Sequence, residues 1–226
     1  MRFRPCIDLH DGAVKQIVGA TLNAEPGSLH TNFTANFPSS HYADLYRRDG
    51  LDGGHVIMLG PGNDAAAAET LTAYPGGLHV GGGITNDNAA LWLERGASGV
   101  IATSFVFGSG QLQRDNLERL AEAAGRDRLV LDLSCAADDD GRYVVATDRW
   151  QKLTDFEVCA ANLEMLSAYC FEFLIHATQV EGRLQGIDAR LVTLLGDATP
   201  LPTTYAGGVR SMEDVDQIES LGQGRL

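Results

Sequence analysis

Two aspartates end apolar runs of the same form at distant places in the chain. Asp8 closes the run that begins at Cys6, and Asp132 closes the run that begins at Leu129, 124 positions after Asp8. Such a run is typical of a buried parallel strand that delivers a functional side chain to the open end of a sheet. Two carboxylates whose surroundings separate their pKa values can serve as a general acid and a general base. We therefore expect Asp8 and Asp132 to face each other across one site.

Two glycine turns recur at nearly the same offset as the aspartates. One follows Val80 and the other follows Tyr205, and their central glycines are 125 positions apart. Glycine lets the backbone turn sharply and present N–H groups to an anion where a strand leads into a helix. We predict two phosphate sites, formed by Gly82, Gly83, Thr103 and Ser104 in the first half and by Gly207 and Gly208 in the second.

The shared offset indicates a tandem duplication with repeats at about residues 1–125 and 126–226, within a single domain of residues 1–226. Seven predicted strand-helix units fit either a closed barrel or an open doubly wound sheet. Two four-stranded halves would close a barrel by symmetry. We therefore predict the α/β class and a (βα)8 TIM-type barrel of two duplicated half-barrels. The repeat places an eighth strand from residue 224, so the last strand-helix unit is expected to be missing, which leaves strands one and seven with unpaired edges.

Other segments are predicted from turn residues and periodicity. Residues 21–36 are polar and long enough for an active-site loop. A helix is expected to begin at Thr85 and Asn86, and another to span residues 156–169. Residues 140–150 combine a turn with a stretch in which apolar and polar residues alternate, which predicts a hairpin that folds over the site.

The composition excludes several kinds of partner. The formal net charge of −13 argues against nucleic acid and anionic membranes, so local backbone dipoles must hold an anionic substrate. No run of eighteen apolar residues could span a membrane. The first strand begins close to Met1 and leaves no room for a signal peptide, so we expect a cytoplasmic protein. The four cysteines lack metal-ligand spacing and are expected to be reduced core residues, and no metal is expected. We expect a monomer.

Several other polar residues allow two interpretations. For His10 and His176, at strand ends, a structural or substrate-orienting hydrogen bond is favoured over acid/base chemistry. The three aspartates at 138–140 could suggest a metal site, but adjacent side chains diverge, and a solvated turn is the better account. Trp150 could pack on the barrel rim or cover a substrate, and both interpretations stay open.

The run Cys6-Ile7-Asp8-Leu9-His10-Asp11-Gly12 and its continuation to Gly19 closely resemble the start of the eukaryotic HisA family, the phosphoribosylformimino-aminoimidazole carboxamide ribotide isomerases of histidine biosynthesis. The match continues in the segments around Gly82, Asp132, His176 and Gly207. The resemblance implies a (βα)8 barrel with internal two-fold symmetry and an Amadori rearrangement of an aminoaldose to an aminoketose, without redox cofactor or metal.

The resemblance also implies residue roles. It makes Asp8 the base and Asp132 the acid for a substrate with a phosphate at each end. It places Thr178 in contact with substrate and Trp150 over it, whereas Gln179 stands where relatives carry an aspartate.

Two alternatives remain. The sister cyclase of the same pathway, the imidazole glycerol phosphate synthase barrel, shares the paired aspartates, but the stretch from Lys15 to Gly19 favours the isomerase. The second alternative is not an enzyme: the chain would be a truncated, non-catalytic remnant of such a barrel.

Overall fold

The computed structural model describes residues 1–17, 31–147, 150–183 and 185–226. Strands and helices alternate along much of these ranges. The strands are β1 (Cys6–His10), β2 (Ala13–Ile17), β3 (Thr31–Thr34), β4 (Gly54–Met58), β5 (Leu78–Gly81), β6 (Gly99–Ala102), β7 (Phe107–Gly108), β8 (Gln111–Leu112), β9 (Leu129–Asp132), β10 (Cys135–Ala137), β11 (Tyr143–Thr147), β12 (Lys152–Glu157), β13 (Glu172–His176) and β14 (Thr203–Ala206). The helices are α1 (Ser39–Arg48), α2 (Asp64–Ala73), α3 (Ala89–Glu94), α4 (Arg114–Ala124), α5 (Ala160–Ser167), α6 (Ala189–Ala198) and α7 (Met212–Leu221).

Seven strands form a parallel sheet in the order β14, β13, β9, β6, β5, β4, β1. A helix follows each of them, so the described part of the chain contains seven strand-helix units. The antiparallel strands β2 and β3 continue the sheet beyond β1. Within the described ranges β14 and β1 do not pair, as expected for a barrel that lacks its eighth unit.

Side chains on the parallel strands alternate between two apolar layers, because successive residues of a strand point to opposite faces. One face packs against the helices through residues such as Ile7, Val56 and Leu131. The other face fills the interior with Ile101, Val130 and Leu174. An ion pair between Arg4 and Glu172 joins the segment before β1 to β13, so the sheet curves until its two ends approach each other.

The predicted hairpin at residues 140–150 belongs to a three-stranded antiparallel sheet of β10, β11 and β12. We call β10, β11 and β12 the small sheet. The helix predicted over residues 156–169 was wrong at its start, because Phe156 belongs to β12, the last strand of the small sheet. Thr154 and Phe156 are buried while their neighbours are not, which is the alternation of a strand, and α5 begins only at Ala160.

Two further predictions need correction. The helix predicted from Thr85 begins at Ala89, because the Asn88 side chain accepts from the Thr85 amide and donates to the Gly83 carbonyl, closing a turn instead. Of the predicted loop at 21–36, residues 21–30 lie outside the described part of the chain. Residues Thr31–Thr34 form β3, which pairs with β2.

No helix among the described residues is long and apolar enough to cross a membrane.

Asp188 connects the small sheet to the helical layer. Its carboxylate caps α6 by accepting from the Leu191 amide at 3.0 Å, and it also accepts from the Tyr143 hydroxyl at 2.8 Å. The backbone amide of Asp188 donates to the Tyr205 hydroxyl at 2.9 Å. One residue therefore holds β11, β14 and α6 together.

Replacing Asp188 by Ala should destabilise the protein by about 2–4 kcal/mol, because it removes a helix cap and leaves the buried Tyr143 hydroxyl without its acceptor. Tyr143→Phe keeps the cap and should cost about 1 kcal/mol. Urea unfolding measures both changes.

The control is Asp216→Ala on the exposed face of α7, expected within about 0.5 kcal/mol of the parent. An Asp188→Ala protein as stable as this control would contradict the anchoring role.

Candidate active site

The carboxyl ends of the parallel strands bring the predicted acid/base residues together. In β1 the buried Ile7 and Leu9 face the helices, so Asp8 between them faces the interior. Asp132 ends β9 and His176 ends β13, which pairs with β9 in parallel. In a barrel, the carboxyl face is where catalytic side chains lie.

The Asp8 carboxylate lies in a desolvated setting with one thiol partner. Burial raises the pKa of Asp8, while the Cys6 thiol, whose Sγ lies 3.1 Å from Oδ1, and the charge of His176 both oppose that rise. Cys6 is solvent-exposed, which corrects the expectation that all four cysteines lie in the core. Local desolvation of the thiol and the neighbouring Asp8 charge raise the pKa of Cys6 well above its ordinary value, so the thiol stays protonated and donates. A carboxylate with a raised pKa is a stronger base once ionised.

The Asp132 carboxylate is fixed by its own turn. Its Oδ1 accepts from the backbone amide of Ser134 at 2.9 Å and from the Ser134 hydroxyl at 2.8 Å. The His176 Nδ1 lies 3.6 Å from the same oxygen, which is an ion-pair distance and too long for a hydrogen bond.

His176 links the two aspartates electrostatically. Burial alone would lower the pKa of His176, but the adjacent Asp132 and the charges of Glu181 and Asp8 hold that pKa above its ordinary value. Its charge in turn opposes the rise in the pKa of Asp8. The imidazolium form is therefore stabilised between carboxylates. This surrounding favours a proton-holding role, whereas the sequence had favoured a structural or orienting hydrogen bond.

Glu181 is a site residue that the sequence reasoning missed. Burial and the negative charge of Asp8 raise the pKa of Glu181, and His176 opposes the rise. A carboxylate five residues beyond the end of a predicted strand lies in the loop that lines the carboxyl face. This position in the loop is the feature of the sequence that could have identified Glu181 as a site residue.

Thr178 and Gln179 hold the loop after β13 against the small sheet. The Thr178 hydroxyl donates to the Cys135 carbonyl at 3.0 Å, and Gln179 Oε1 accepts from the Ala137 amide at 3.2 Å. A substrate contact from Thr178 would have to use the remaining acceptor capacity of its hydroxyl, and its predicted role stays a prediction.

Trp150 lies beside His176, with ring centroids 6.0 Å apart and planes inclined by 38°. Its φ of 68° is in the left-handed region, which is strained for a bulky residue and often found at functional sites. By contrast, His10 is engaged locally, with Nδ1 2.8 Å from Asp11 Oδ2.

The two predicted phosphate sites, at the glycine turns, lie on either side of the acidic residues. Gly82 and Gly207 have φ values of 94° and 117°. A Cβ on Gly82 would collide with the carbonyl of Met58 in β4, and a Cβ on Gly207 would collide with the carbonyl of Ala177, just after β13. Space around Gly83 is open, so a ligand can approach it. Because α3 begins seven residues after Gly82, an anion at this turn would have to be bound by the turn amides and not by a helix N-terminus.

In sheet order, β9 and β13 lie between the strands that carry the two glycine turns. Thr103 and Ser104 follow β6, which pairs with β5, and so lie beside Gly82 and Gly83. Gly207 and Gly208 follow β14, which pairs with β13. The arrangement can accommodate a molecule with an anionic group at each end and its reactive centre near the aspartates.

The parallel strands and helices, with carboxylates at strand ends and two glycine turns, place the protein in the class of (βα)-barrel proteins. A family model described as "Histidine biosynthesis protein" matches residues 2–225, and the chain belongs to that family. The resemblance seen in the sequence and the predicted fold class are thereby confirmed.

Three relatives are similar over nearly the whole chain. A Neurospora crassa protein is 49% identical over 227 residues, covering 100% of this chain and 88% of its own length. A Saccharomyces cerevisiae protein is 47% identical over 231 residues, with coverages of 100% and 88%. A chloroplastic Medicago truncatula protein is 50% identical over 228 residues, with coverages of 98% and 73%. All three are named 1-(5-phosphoribosyl)-5-((5-phosphoribosylamino)methylideneamino) imidazole-4-carboxamide isomerase.

Replacing Cys6 by Ala should raise the pKa of Asp8, because the carboxylate loses a donor that favours its ionised form. Cys6→Ser keeps a donor and should leave the pKa closer to that of the parent. Carbon-13 NMR titration of the Asp8 carboxyl measures the shift directly.

Cys159→Ala, which alters a cysteine at the start of α5, is the control and should leave the titration unchanged. An Asp8 midpoint in Cys6→Ala that equals the parent value would show that the thiol does not tune the carboxylate.

Proposed function

We propose that this protein is an aldose-ketose isomerase of histidine biosynthesis that performs an Amadori rearrangement on a doubly phosphorylated substrate, N'-phosphoribosylformimino-aminoimidazole carboxamide ribotide. The observation that carries the proposal is the placement of Asp8 and Asp132 on interior strand ends, with His176 interacting with both. The printed names of the relatives support the same reaction.

The rearrangement needs two proton transfers at one sugar. An acid protonates the furanose ring oxygen, which opens the ring to a Schiff base, and a base then takes the proton from C2. Removal of that proton gives an enolamine, whose tautomerisation yields the ketose. No atom is gained or lost, so the reaction needs no external reductant or oxidant.

We assign the acid to Asp132 with His176, and the base to Asp8. The neighbouring carboxylates, with Asp132 Oδ1 at 3.6 Å, hold the pKa of His176 above its ordinary value, so the imidazole retains a proton that the pair can deliver to the ring oxygen. Asp8 combines a desolvated carboxylate with a thiol donor that favours ionisation, which suits a base.

The substrate's phosphates are proposed to bind the two glycine turns. With a net charge of −13, long-range attraction does not favour an anion, so the turn amides and the Thr103 and Ser104 hydroxyls must act locally. With the two phosphates bound at the glycine turns, the sugar lies beside His176 and is covered by Trp150. Thr178 and Glu181 line the site from the loop after β13. We further propose that the protein works as a single-domain monomer in the cytoplasm, with no cofactor.

The rate of aminoaldose turnover tests the proposal. The purified chain should form the ketose without glutamine, ammonia or a glutaminase partner, as monitored by chromatographic separation of substrate and product. Product that appears only when ammonia is supplied would instead indicate the cyclase reaction. A folded chain that binds substrate without forming either product would favour the non-catalytic remnant.

Asp8→Asn and Asp132→Asn should each lower kcat by at least roughly a hundredfold with little change in substrate affinity, because an amide cannot transfer the proton. Steady-state kinetics gives the rate, and calorimetric titration gives the affinity.

The matched control is Asp127→Asn, an exposed residue just before the opposite end of β9, which should retain the parent rate. A near-normal kcat in either site variant would remove that aspartate from its assigned role.

A further inference from the structure

Two histidines and a glutamate meet inside the barrel near the amino ends of their strands, opposite the face that carries Asp8 and Asp132. His55 is the second residue of β4, His79 the second of β5 and Glu172 the first of β13. We call these three residues the amino-end cluster. One potential ligand atom from each lies within 4.8 Å of the others, and all three side chains are buried.

The two histidines present nitrogen atoms without partners. His55 and His79 are 5% and 4% exposed, and neither His55 Nε2 nor His79 Nδ1 has a hydrogen-bond partner among the described residues. Their rings are stacked with centroids 5.8 Å apart. A buried polar atom without a partner is unfavourable, and native structures usually satisfy it with a water or an ion.

The unpartnered nitrogen of each histidine is an atom that could bind a metal ion. A neutral imidazole has one nitrogen lone pair, which is the donor that transition metals use.

Glu172 supplies the negative charge of the cluster. Its two oxygens accept from Arg4 and from the Thr204 hydroxyl, and a carboxylate oxygen with one such bond still has a free lone pair. The Arg4 guanidinium opposes a second cation nearby, so it should reduce affinity without removing a ligand.

A cavity open to solvent reaches one member of the cluster, Glu172. A cavity of about 630 Å³ opens between β14 and the segment before β1, and Arg4, Phe171, Glu172 and Thr204 line it. Phe171 also packs edge-on against His79, with centroids 5.6 Å apart. An ion can therefore approach Glu172 without the barrel unfolding.

We propose that His55, His79 and Glu172 bind one divalent transition-metal ion of the Zn²⁺ class, with water in the fourth position. Two imidazoles and one carboxylate are a ligand set that zinc accepts, whereas Mg²⁺ and Ca²⁺ prefer oxygen ligands alone. Because β13 is not a neighbour of β4 or β5 in the sheet, the ion would cross-link the barrel interior.

The test is Co²⁺ titration of the tag-free chain, followed by the visible absorption of tetrahedral Co²⁺, with Zn²⁺ as competitor. One equivalent should bind, Zn²⁺ should displace it, and either metal should raise Tm. Titration that shows no saturable site at one equivalent in the parent would overturn the proposal.

Variants locate the ion. His79→Gln and Glu172→Gln, which retain side-chain size, should each weaken Co²⁺ binding by at least roughly tenfold. Circular dichroism of the metal-free variants confirms that they fold before they are compared. If Glu172→Gln does not fold because it breaks the Arg4 pair, His79→Gln decides the test.

Two histidines elsewhere serve as controls. His41→Gln on the exposed face of α1 and His176→Ala at the carboxyl face should both retain the Co²⁺ spectrum. Loss of the spectrum in His176→Ala with retention in His79→Gln would place the ion at the other face and refute the amino-end cluster.

Discussion

The ion pair between Arg4 and Glu172 is the contact on which the shape of the barrel depends. Within the described ranges no strand joins β14 to β1, so the sheet alone does not close. Arg4 also donates to the Gly53 carbonyl before β4, and in this way one side chain connects both ends of the sheet. Because Glu172 is 1% exposed, its charge would be strongly unfavourable without that partner. The closure brings β13 near β1, and therefore His176 near Asp8.

The electrostatics of the two barrel ends differ. At the carboxyl end, Asp8, Asp132 and Glu181 surround one histidine and hold its proton, against the effect of burial. At the amino end, two histidines lie near an arginine, and burial removes their charge instead. The apolar layer of Ile101, Val130 and Leu174 separates the two groups. A single fold can therefore keep one imidazole protonated and others neutral at the same pH.

The sequence predicted the parts of the fold that depend on local pattern. The strand from Leu129 to Asp132 and the strand end at His176 were correctly predicted, because each is a short apolar run followed by a turn. The starts of α3 and α5 were wrong because side-chain hydrogen bonds and pairing with β11 outweigh helix propensity there. Glu181 was missed although its position just after a predicted strand was a usable signal. The amino-end cluster could not be predicted, since it depends on contacts between strands far apart in the chain.

The bonds from the loop after β13 to the small sheet couple two parts of the active site mechanically. Thr178 and Gln179 both bond to the backbone of β10, and the same loop follows directly from His176. The small sheet and the loop that starts at His176 therefore share two adjacent hydrogen bonds. The position of the imidazole and the position of Trp150, between β11 and β12, depend on the same backbone contacts.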